Sequence, residues 1–155
     1  MRQNTCCFTG HRILPNKKPE SIVIQLNKEI DNLISQGVTT FLSGGALGFD
    51  QLAATIIISK RQQGANVKLN FILPCRDQDK KWTHRQKNLY SELLREADSI
   101  HYISEEYTGD CMKERNHYMV DSSRYCICAF KYEGSGTGQT VRYAEKRGLQ
   151  VINVA

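Results

Sequence analysis

Short apolar segments alternate with longer amphipathic segments along the whole chain. Six short segments rich in apolar and β-branched residues predict strands over residues 5–9, 38–43, 67–73, 99–103, 124–130 and 150–154. Between them, apolar residues recur three or four positions apart, which predicts helices over residues 20–36, 48–63, 84–97, 111–120 and a last helix ending near 147. Gly37 and Gly64 follow two of these helices, as glycine commonly does at a helix C-terminus.

This order of elements predicts an α/β fold. Strands that alternate with helices form βαβ units, so we expect a Rossmann-like, doubly wound and mostly parallel sheet. The right-handed crossover rule adds helices on both faces of the sheet and therefore three layers. The chain shows no linker, repeat or low-complexity segment, so we expect a single domain over residues 1–155. In such folds the ligand lies at the carboxyl ends of the strands.

The loop after the second strand, with the sequence SGGALGFD, resembles a phosphate-binding turn. Glycines there permit a tight turn and close approach of a phosphate to the backbone, and the following helix directs its N-terminus towards the same space. The alternative is a tight turn that holds no ligand. The loop lacks the Gly-Lys-Ser/Thr ending of a P-loop, and the next strand lacks the terminal carboxylate typical of NAD-binding domains. The candidate ligand-binding residues in this loop are Ser43, Gly44, Gly45, Gly48 and Asp50.

A second glycine-rich loop follows the fifth strand and opens the last long helix. Its hydroxyl groups and exposed backbone donors suit an anion at a helix N-terminus, although helix capping by threonine is the alternative. Its candidate residues are Gly134, Ser135, Gly136, Thr137 and Thr140. Two such loops in one short chain predict a cradle for a phosphorylated ligand.

Two other segments supply polar candidates. The loop after the first strand contains Thr9, Gly10, His11 and Arg12, and the short fourth helix contains Arg115 and Asn116. An arginine can bind a phosphate through two hydrogen bonds, and a histidine can donate, accept or titrate. The alternatives are a solvated His–Arg pair and, for Arg115, an ion pair with Glu114 or Asp121 on the surface. Trp82 either stacks on a base or covers the edge of the core.

Composition adds little to this interpretation. A formal net charge of +5 favours an anionic partner only weakly, with one small basic cluster over residues 80–85. The six cysteines form no CxxC pair, so we expect buried free thiols and no metal. No apolar run is long enough to span a bilayer, and the N-terminus resembles a first strand rather than a signal peptide. We therefore expect a cytoplasmic protein with no membrane partner.

The motifs together resemble one known family. The segments CFTGHR (residues 7–12), LSGGALGFD (42–50), RN with MVD (115–121) and GT with TV (136–141) look like the YpsA-like family of bacterial proteins. This family is related to the LOG phosphoribohydrolases and to the DNA-processing protein DprA. The resemblance covers nearly the whole chain. It implies a Rossmann-like fold that binds a nucleotide or a nucleotide derivative, with no other cofactor, and a link to cell division without a settled activity.

The resemblance to LOG enzymes fails at the catalytic position. LOG enzymes have a catalytic glutamate two residues after the Gly-Thr pair, whereas this chain has Gln139, and Glu133 replaces the proline before the glycines. An amide cannot replace a carboxylate in acid–base chemistry. We therefore expect binding or sensing of a nucleotide-like molecule. Hydrolysis of an N-glycosidic or phosphate bond with Glu133 or Asp50 as the acid is the first alternative. DprA-like binding of single-stranded nucleic acid is ranked last, and a homodimer is expected by analogy alone.

Overall fold

The chain forms six strands and five helices in the predicted order. The computed structural model describes residues 2–11, 19–131 and 136–155. The strands are β1 (Thr5–Gly10), β2 (Thr40–Ser43), β3 (Lys68–Leu73), β4 (Ser99–Tyr102), β5 (Tyr125–Ala129) and β6 (Gln150–Asn153). The helices are α1 (Pro19–Ser35), α2 (Phe49–Gln62), α3 (His84–Arg95), α4 (Cys111–Asp121) and α5 (Gly136–Lys146). Each predicted boundary lies within two residues of the observed one.

The strands form one parallel sheet in the order β4-β3-β2-β1-β5-β6. Every observed pairing is parallel, so the predicted doubly wound, Rossmann-like fold is confirmed. The strand order reverses at β1, which pairs with β2 on one side and with β5 on the other. In open α/β sheets the crevice at such a reversal is the usual ligand site.

Helices cover both faces of the sheet, which gives the three predicted layers. Successive side chains of a strand point to opposite faces. Cys6 and Phe8 accordingly pack with α1, α2 and α3, whereas Cys7 packs with α4 and α5. Full burial of side chains such as Phe8, Phe41 and Phe71 stabilises the fold by roughly 1.5–3 kcal/mol each.

All six cysteines are free and buried, and four of them, Cys6, Cys7, Cys126 and Cys128, lie in these two apolar layers. Burial raises the pKa of the Cys6 thiol well above its ordinary value, and the same cause raises that of Cys128 to about 12. These thiols therefore stay protonated and act as small apolar side chains. Within the described residues, no helix combines the length and the apolar character needed to cross a membrane.

Local sequence signals explain where the helices begin. Pro19 occupies the first turn of α1, where its missing N–H leaves no hydrogen bond unmade. Thr83 caps α3 reciprocally with Gln86, in the capping-box arrangement. At the start of α2, Gly48 adopts a φ of 89°, a conformation that favours glycine. This glycine lets the chain turn sharply from the loop after β2 into the helix.

A methyl group at Gly10 tests how closely β1 packs against α2. A Cβ atom at this position would overlap the side chain of Phe49. We expect Gly10→Ala to lower the free energy of unfolding by roughly 1–3 kcal/mol, because the buried ring has little room to move. Urea denaturation measures the change. Gly109→Ala is the control, since nothing lies within 4 Å of its added Cβ, and equal stability of the two variants would contradict the prediction.

Candidate functional site

A cleft of about 940 Å³ lies at the carboxyl edge of the sheet. Residues that follow β1, β2, β3 and β4 line it, together with the first turns of α4 and α5. Parallel strands end at the same edge, so segments far apart in sequence meet there. The volume lies near the upper end of the range for small-molecule sites, roughly 300–1,000 Å³.

Half of the predicted site residues line this cleft. They are Thr9, Gly10, His11, Asp50, Arg115, Asn116, Gly136 and Thr137. The loops after β1 and β2 and the start of α5 therefore do converge, as the sequence predicts. Arg12, Gly134 and Ser135 lie outside the described residues, as does Glu133.

The remaining predicted residues are placed behind the wall of the cleft. Ser43, Gly44 and Gly45 are buried, and Gly48 forms the turn into α2. Thr140 donates from its hydroxyl group to the carbonyl oxygen of Gly136 at 3.0 Å, one turn earlier in α5. These residues support the cleft from within the protein, and their contact with a ligand stays a prediction.

Hydrogen bonds within the protein hold the loop after β2. The Ser43 hydroxyl donates to the Asp50 carbonyl at 2.9 Å and accepts from the Gly45 amide at 3.2 Å. The side-chain amide of Gln51 donates to the Gly45 carbonyl at 3.1 Å. The amide of Phe49 donates to the His11 carbonyl at 3.3 Å and so ties this loop to β1. At least two of the loop amides that the sequence offers to a phosphate are thus already bonded to protein atoms.

Arg115 is the most buried cation of the cleft, with 3% of its surface exposed. Its Nη1 donates to the Gly44 carbonyl at 2.7 Å, and its Nε donates to Asn116 Oδ1 at 2.7 Å. Among the described residues, no carboxylate oxygen comes within 4.0 Å of the guanidinium group. Burial lowers the pKa of Arg115, and the charge of Asp50 opposes that effect. The cleft wall therefore contains a guanidinium group with no directly bound carboxylate.

The alternative of a surface ion pair for Arg115 is wrong. Asp121 instead pairs with Arg147 at 3.2 Å and accepts a hydrogen bond from the Tyr143 hydroxyl at 2.8 Å. Arg115 points the other way, into the protein, because its side chain lies on the same face of α4 as buried Met119.

Gly44 is required by the close approach of two charged groups. A Cβ atom there would lie 2.5 Å from Arg115 Nη1 and 2.9 Å from Asp50 Oδ2. Any larger residue would push these groups away from the backbone. Burial raises the pKa of the Asp50 carboxyl to about 6, while Arg115 and a hydrogen bond from the Ala46 amide act in the opposite direction. A buried carboxyl that titrates this high is characteristic of functional sites.

His11 connects the two sides of the strand reversal. Its Nε2 accepts a hydrogen bond from the Lys131 amide at 3.4 Å, and its ring lies 6.5 Å from that of Phe130. Partial burial lowers the pKa of His11, which agrees with an unprotonated Nε2. The loops after β1 and β5 are therefore in contact.

The loop after β3 supplies residues that the sequence analysis did not assign to the site. Gln78 donates from its Nε2 to the Gly44 carbonyl at 3.2 Å and to the Tyr90 hydroxyl at 3.0 Å. Its Oε1 is buried and accepts no hydrogen bond from the described part of the chain. Such an unpaired acceptor costs about 1–3 kcal/mol unless water or a ligand donates to it.

Aromatic and basic side chains line the cleft on the same side. Trp82 is half-buried and packs edge-on against Tyr90, with ring centroids 5.0 Å apart, so it both covers the core edge and lines the cleft. Lys80 and Lys81 precede it and also line the cleft. Tyr107, in the loop after β4, is 65% exposed. The sequence analysis noted Trp82 and the basic cluster over residues 80–85, whereas Tyr107 was signalled only by the position of its loop at the carboxyl edge of the sheet.

No metal-binding group is evident in residues 2–11, 19–131 and 136–155: nowhere among them do three His, Cys, Asp or Glu side chains form a set that could hold an ion. The chemistry that the cleft offers is therefore that of Arg115, Asp50, His11, the lysines and the N-terminus of α5.

Comparison with known proteins places this cleft in a family context. The sequence profile of the YspA SLOG family matches residues 7–150. The uncharacterized SPbeta prophage-derived protein YoqJ of Bacillus subtilis strain 168 is 31% identical over 121 residues, which cover 70% of this chain and 71% of that protein.

Two solved structures share the fold. DNA processing protein A (DprA) from Streptococcus pneumoniae has a TM-score of 0.67 and 17% identity over 96% of this chain and 49% of its own. DprA from Helicobacter pylori, described for its single-stranded DNA binding mode, has a TM-score of 0.66 and 22% identity over 95% of this chain and 63% of its own. This chain thus spans about half of the first DprA structure and less than two thirds of the second.

The burial of Asp50 predicts a specific pH dependence of stability. Its folded-state pKa, about 6, exceeds the ordinary value of 3.8, so the unfolded chain releases this proton first as the pH rises. As the pH rises from 4 to 6, Asp50 therefore lowers the free energy of unfolding by a total on the order of 3 kcal/mol. Above pH 6 it causes no further change. Asparagine does not titrate, so the free energy of unfolding of Asp50→Asn minus that of the natural protein should rise as the pH increases from 4 to 6. Urea denaturation at several pH values measures this difference.

Asp31→Asn serves as the control, because Asp31 is exposed and pairs with Lys60 on the surface. A stability difference between Asp50→Asn and the natural protein that is constant from pH 4 to pH 7 would contradict the assignment.

Proposed function

The chain belongs to the YspA SLOG family, and on that premise we propose that its cleft binds a nucleotide or a nucleotide-derived phosphorylated small molecule. The observation that carries the proposal is Arg115, a buried guanidinium group in the cleft wall with no described carboxylate within 4.0 Å. Asp50 accompanies this cation electrostatically but forms no direct ion pair with it. A phosphate group would supply the direct partner, because it accepts two hydrogen bonds from one guanidinium.

The start of α5 supports the same proposal from the opposite side of the strand reversal. Gly136 and Thr137 line the cleft at the N-terminus of this helix. The positive end of the helix dipole favours an anion there by about 0.3–1 kcal/mol. Arg115 and the α5 N-terminus line one cavity, so we propose that both act on the anionic part of the ligand.

Binding agrees better with the cleft than LOG-like hydrolysis does. At the position of the LOG acid, this chain has Gln139, which is exposed on α5. Asp50 is a carboxyl group in the cleft wall, but the Ala46 amide and the neighbouring Arg115 also give it a structural role. We therefore propose a binding or sensing function and assign no catalytic residue.

We propose that this function is carried out in the cytoplasm, where nucleotides are abundant and cysteines remain reduced, which agrees with six free cysteines. A homodimer stays a prediction from analogy. Light scattering coupled to gel filtration tests it.

Thermal denaturation with a ligand panel tests the proposed function. We expect at least one nucleoside phosphate, ADP-ribose or NAD to raise the Tm by roughly 5–10 °C at 100 times its Kd. Arg115→Met should abolish this shift, because it removes the cationic donor. Thr137→Val is a milder second variant, which keeps side-chain volume and should weaken the shift.

Arg95→Met is the control for loss of one positive charge, since Arg95 is exposed at the end of α3 and does not line the cleft. Circular dichroism of each variant establishes that it is folded. A flat response of the natural protein to the whole panel would refute the proposed function.

A second candidate function is binding of single-stranded nucleic acid, which the sequence analysis ranked last. Two observations favour it: the fold matches DprA, including the Helicobacter pylori protein described for single-stranded DNA binding, and Lys80 and Lys81 flank Trp82 at the cleft. Basic side chains beside an aromatic ring are the usual elements of sequence-tolerant single-strand binding. The low rank that the sequence analysis gave to a nucleic-acid partner is therefore withdrawn.

Salt dependence distinguishes this second function from binding of a free nucleotide. If Lys80 and Lys81 each contact one phosphate, replacing both with glutamine should reduce the slope of log K against log salt by about 1.4. Fluorescence anisotropy of a labelled oligodeoxynucleotide measures the slope. The control variant replaces Lys28 and Lys146, which do not line the cleft. Absence of any binding at 50 mM salt would exclude the candidate.

A further inference from the structure

We propose that the end of the cleft formed by the loops after β3 and β4 binds the nucleobase of the ligand, between Trp82 and Tyr107, while the anion lies towards Arg115 and the start of α5. This inference rests on the proposed function and adds to it the orientation of the ligand. It also identifies the nucleobase, and not the phosphate alone, as the group that the protein recognises.

The order of the strands separates the two ends of the cleft. Tyr107 follows β4 and Trp82 follows β3, whereas His11 follows β1 and Gly136 follows β5. In the sheet order β4-β3-β2-β1-β5, four strand spacings separate the first and last of these strands. At about 4.8 Å per spacing, this distance is roughly 19 Å. The cleft is therefore long: Trp82 and Tyr107 lie at one end, Gly136 lies at the other, and Arg115, which is bonded to the loop after β2, lies between them.

The β3–β4 end combines apolar surface with access to solvent. Tyr107 is 65% exposed and Met112 is 37% exposed, and both line the cleft. Exposed apolar side chains are ordinary when scattered, but here they share one cavity with the half-buried Trp82. Flat aromatic and thioether groups suit the face of a nucleobase, which stacks on them irrespective of base identity.

Polar groups at this end also match a nucleobase joined to a phosphate. Lys80 and Lys81 line the cleft beside Trp82, so the aromatic surface lies within a positive environment. Gln78, in the same loop, lies between this end and Arg115, because its Nε2 and Arg115 Nη1 donate to the same Gly44 carbonyl oxygen. The buried Oε1 of Gln78 is unpartnered among the described residues. A base N–H is a donor of the kind that this oxygen lacks. Sugar phosphates without a base offer neither a stacking face nor such a ring N–H.

Trp82 is the only tryptophan of the chain, so its fluorescence reports on this end alone. The probes are AMP, ribose 5-phosphate and a short oligodeoxyadenylate. We expect AMP to quench or shift the Trp82 emission and to bind more tightly than ribose 5-phosphate, by roughly 5- to 150-fold. Ribose 5-phosphate should raise the Tm but leave the emission unchanged. Tighter binding of the oligodeoxyadenylate than of AMP would identify the source of the base as single-stranded DNA.

Tyr107→Ser is the test variant, because an exposed side chain can be removed without risk to the fold. It should weaken AMP binding about tenfold or more and leave the affinity for ribose 5-phosphate unchanged. Tyr118→Ser is the matched control: Tyr118 is 41% exposed on α4 and does not line the cleft.

The outcomes separate the two proposals. If ribose 5-phosphate and AMP bind equally well and neither alters the Trp82 emission, the orientation proposed here is wrong and the proposed function stands. An equal loss of affinity for AMP and for ribose 5-phosphate in Tyr107→Ser would also overturn the proposed orientation. If neither probe nor the oligonucleotide binds, the orientation proposed here fails, whereas the proposed function fails only if the whole ligand panel also leaves the Tm unchanged.

Discussion

The hydrogen bond from Arg115 to the carbonyl oxygen of Gly44 is the interaction on which the candidate site depends. It is 2.7 Å long, buried, and joins residues 71 positions apart in sequence. Through it, α4 on one face of the sheet is attached to the loop that leads into α2 on the other face. A charge-assisted hydrogen bond of this kind is stronger than one between neutral groups. The same bond explains why residue 44 is glycine and why the positive charge is held in the cleft wall.

Burial of charge at this point is a structural cost as well as a functional feature. Arg115 and Asp50 both lie against Gly44, yet no carboxylate oxygen of the described chain is within 4.0 Å of the guanidinium. The pair is thus held at a distance that allows electrostatic interaction without direct contact. Sites that are arranged in this way are commonly less stable alone than with a ligand. The proposed binding of a charged molecule depends on this arrangement.

The fold was predictable from the sequence, and half of the predicted site residues line the cleft, for identifiable reasons. The periods of the apolar residues indicate which face of each strand and helix is buried, and Gly10 at the end of β1 marks close packing against Phe49 of α2. The position of Gly44 and Gly45 behind the cleft wall was not predictable, because it depends on Ser43, Gln51 and Arg115 meeting only in the folded protein. Gln78 and Tyr107 were missed because polar loops carry no periodic signal; the sheet topology alone brings them to the cleft.

The strand order has a consequence for synthesis of the protein on the ribosome. β1 is made first, but its partner β5 and the start of α5 follow more than 110 residues later, and Arg115 only shortly before them. A nascent chain that has emerged as far as β4 has four strands available for pairing and no complete cleft. A small molecule bound there can protect the finished fold but cannot nucleate it, so its cellular concentration should affect the lifetime of the mature protein rather than the yield of its translation.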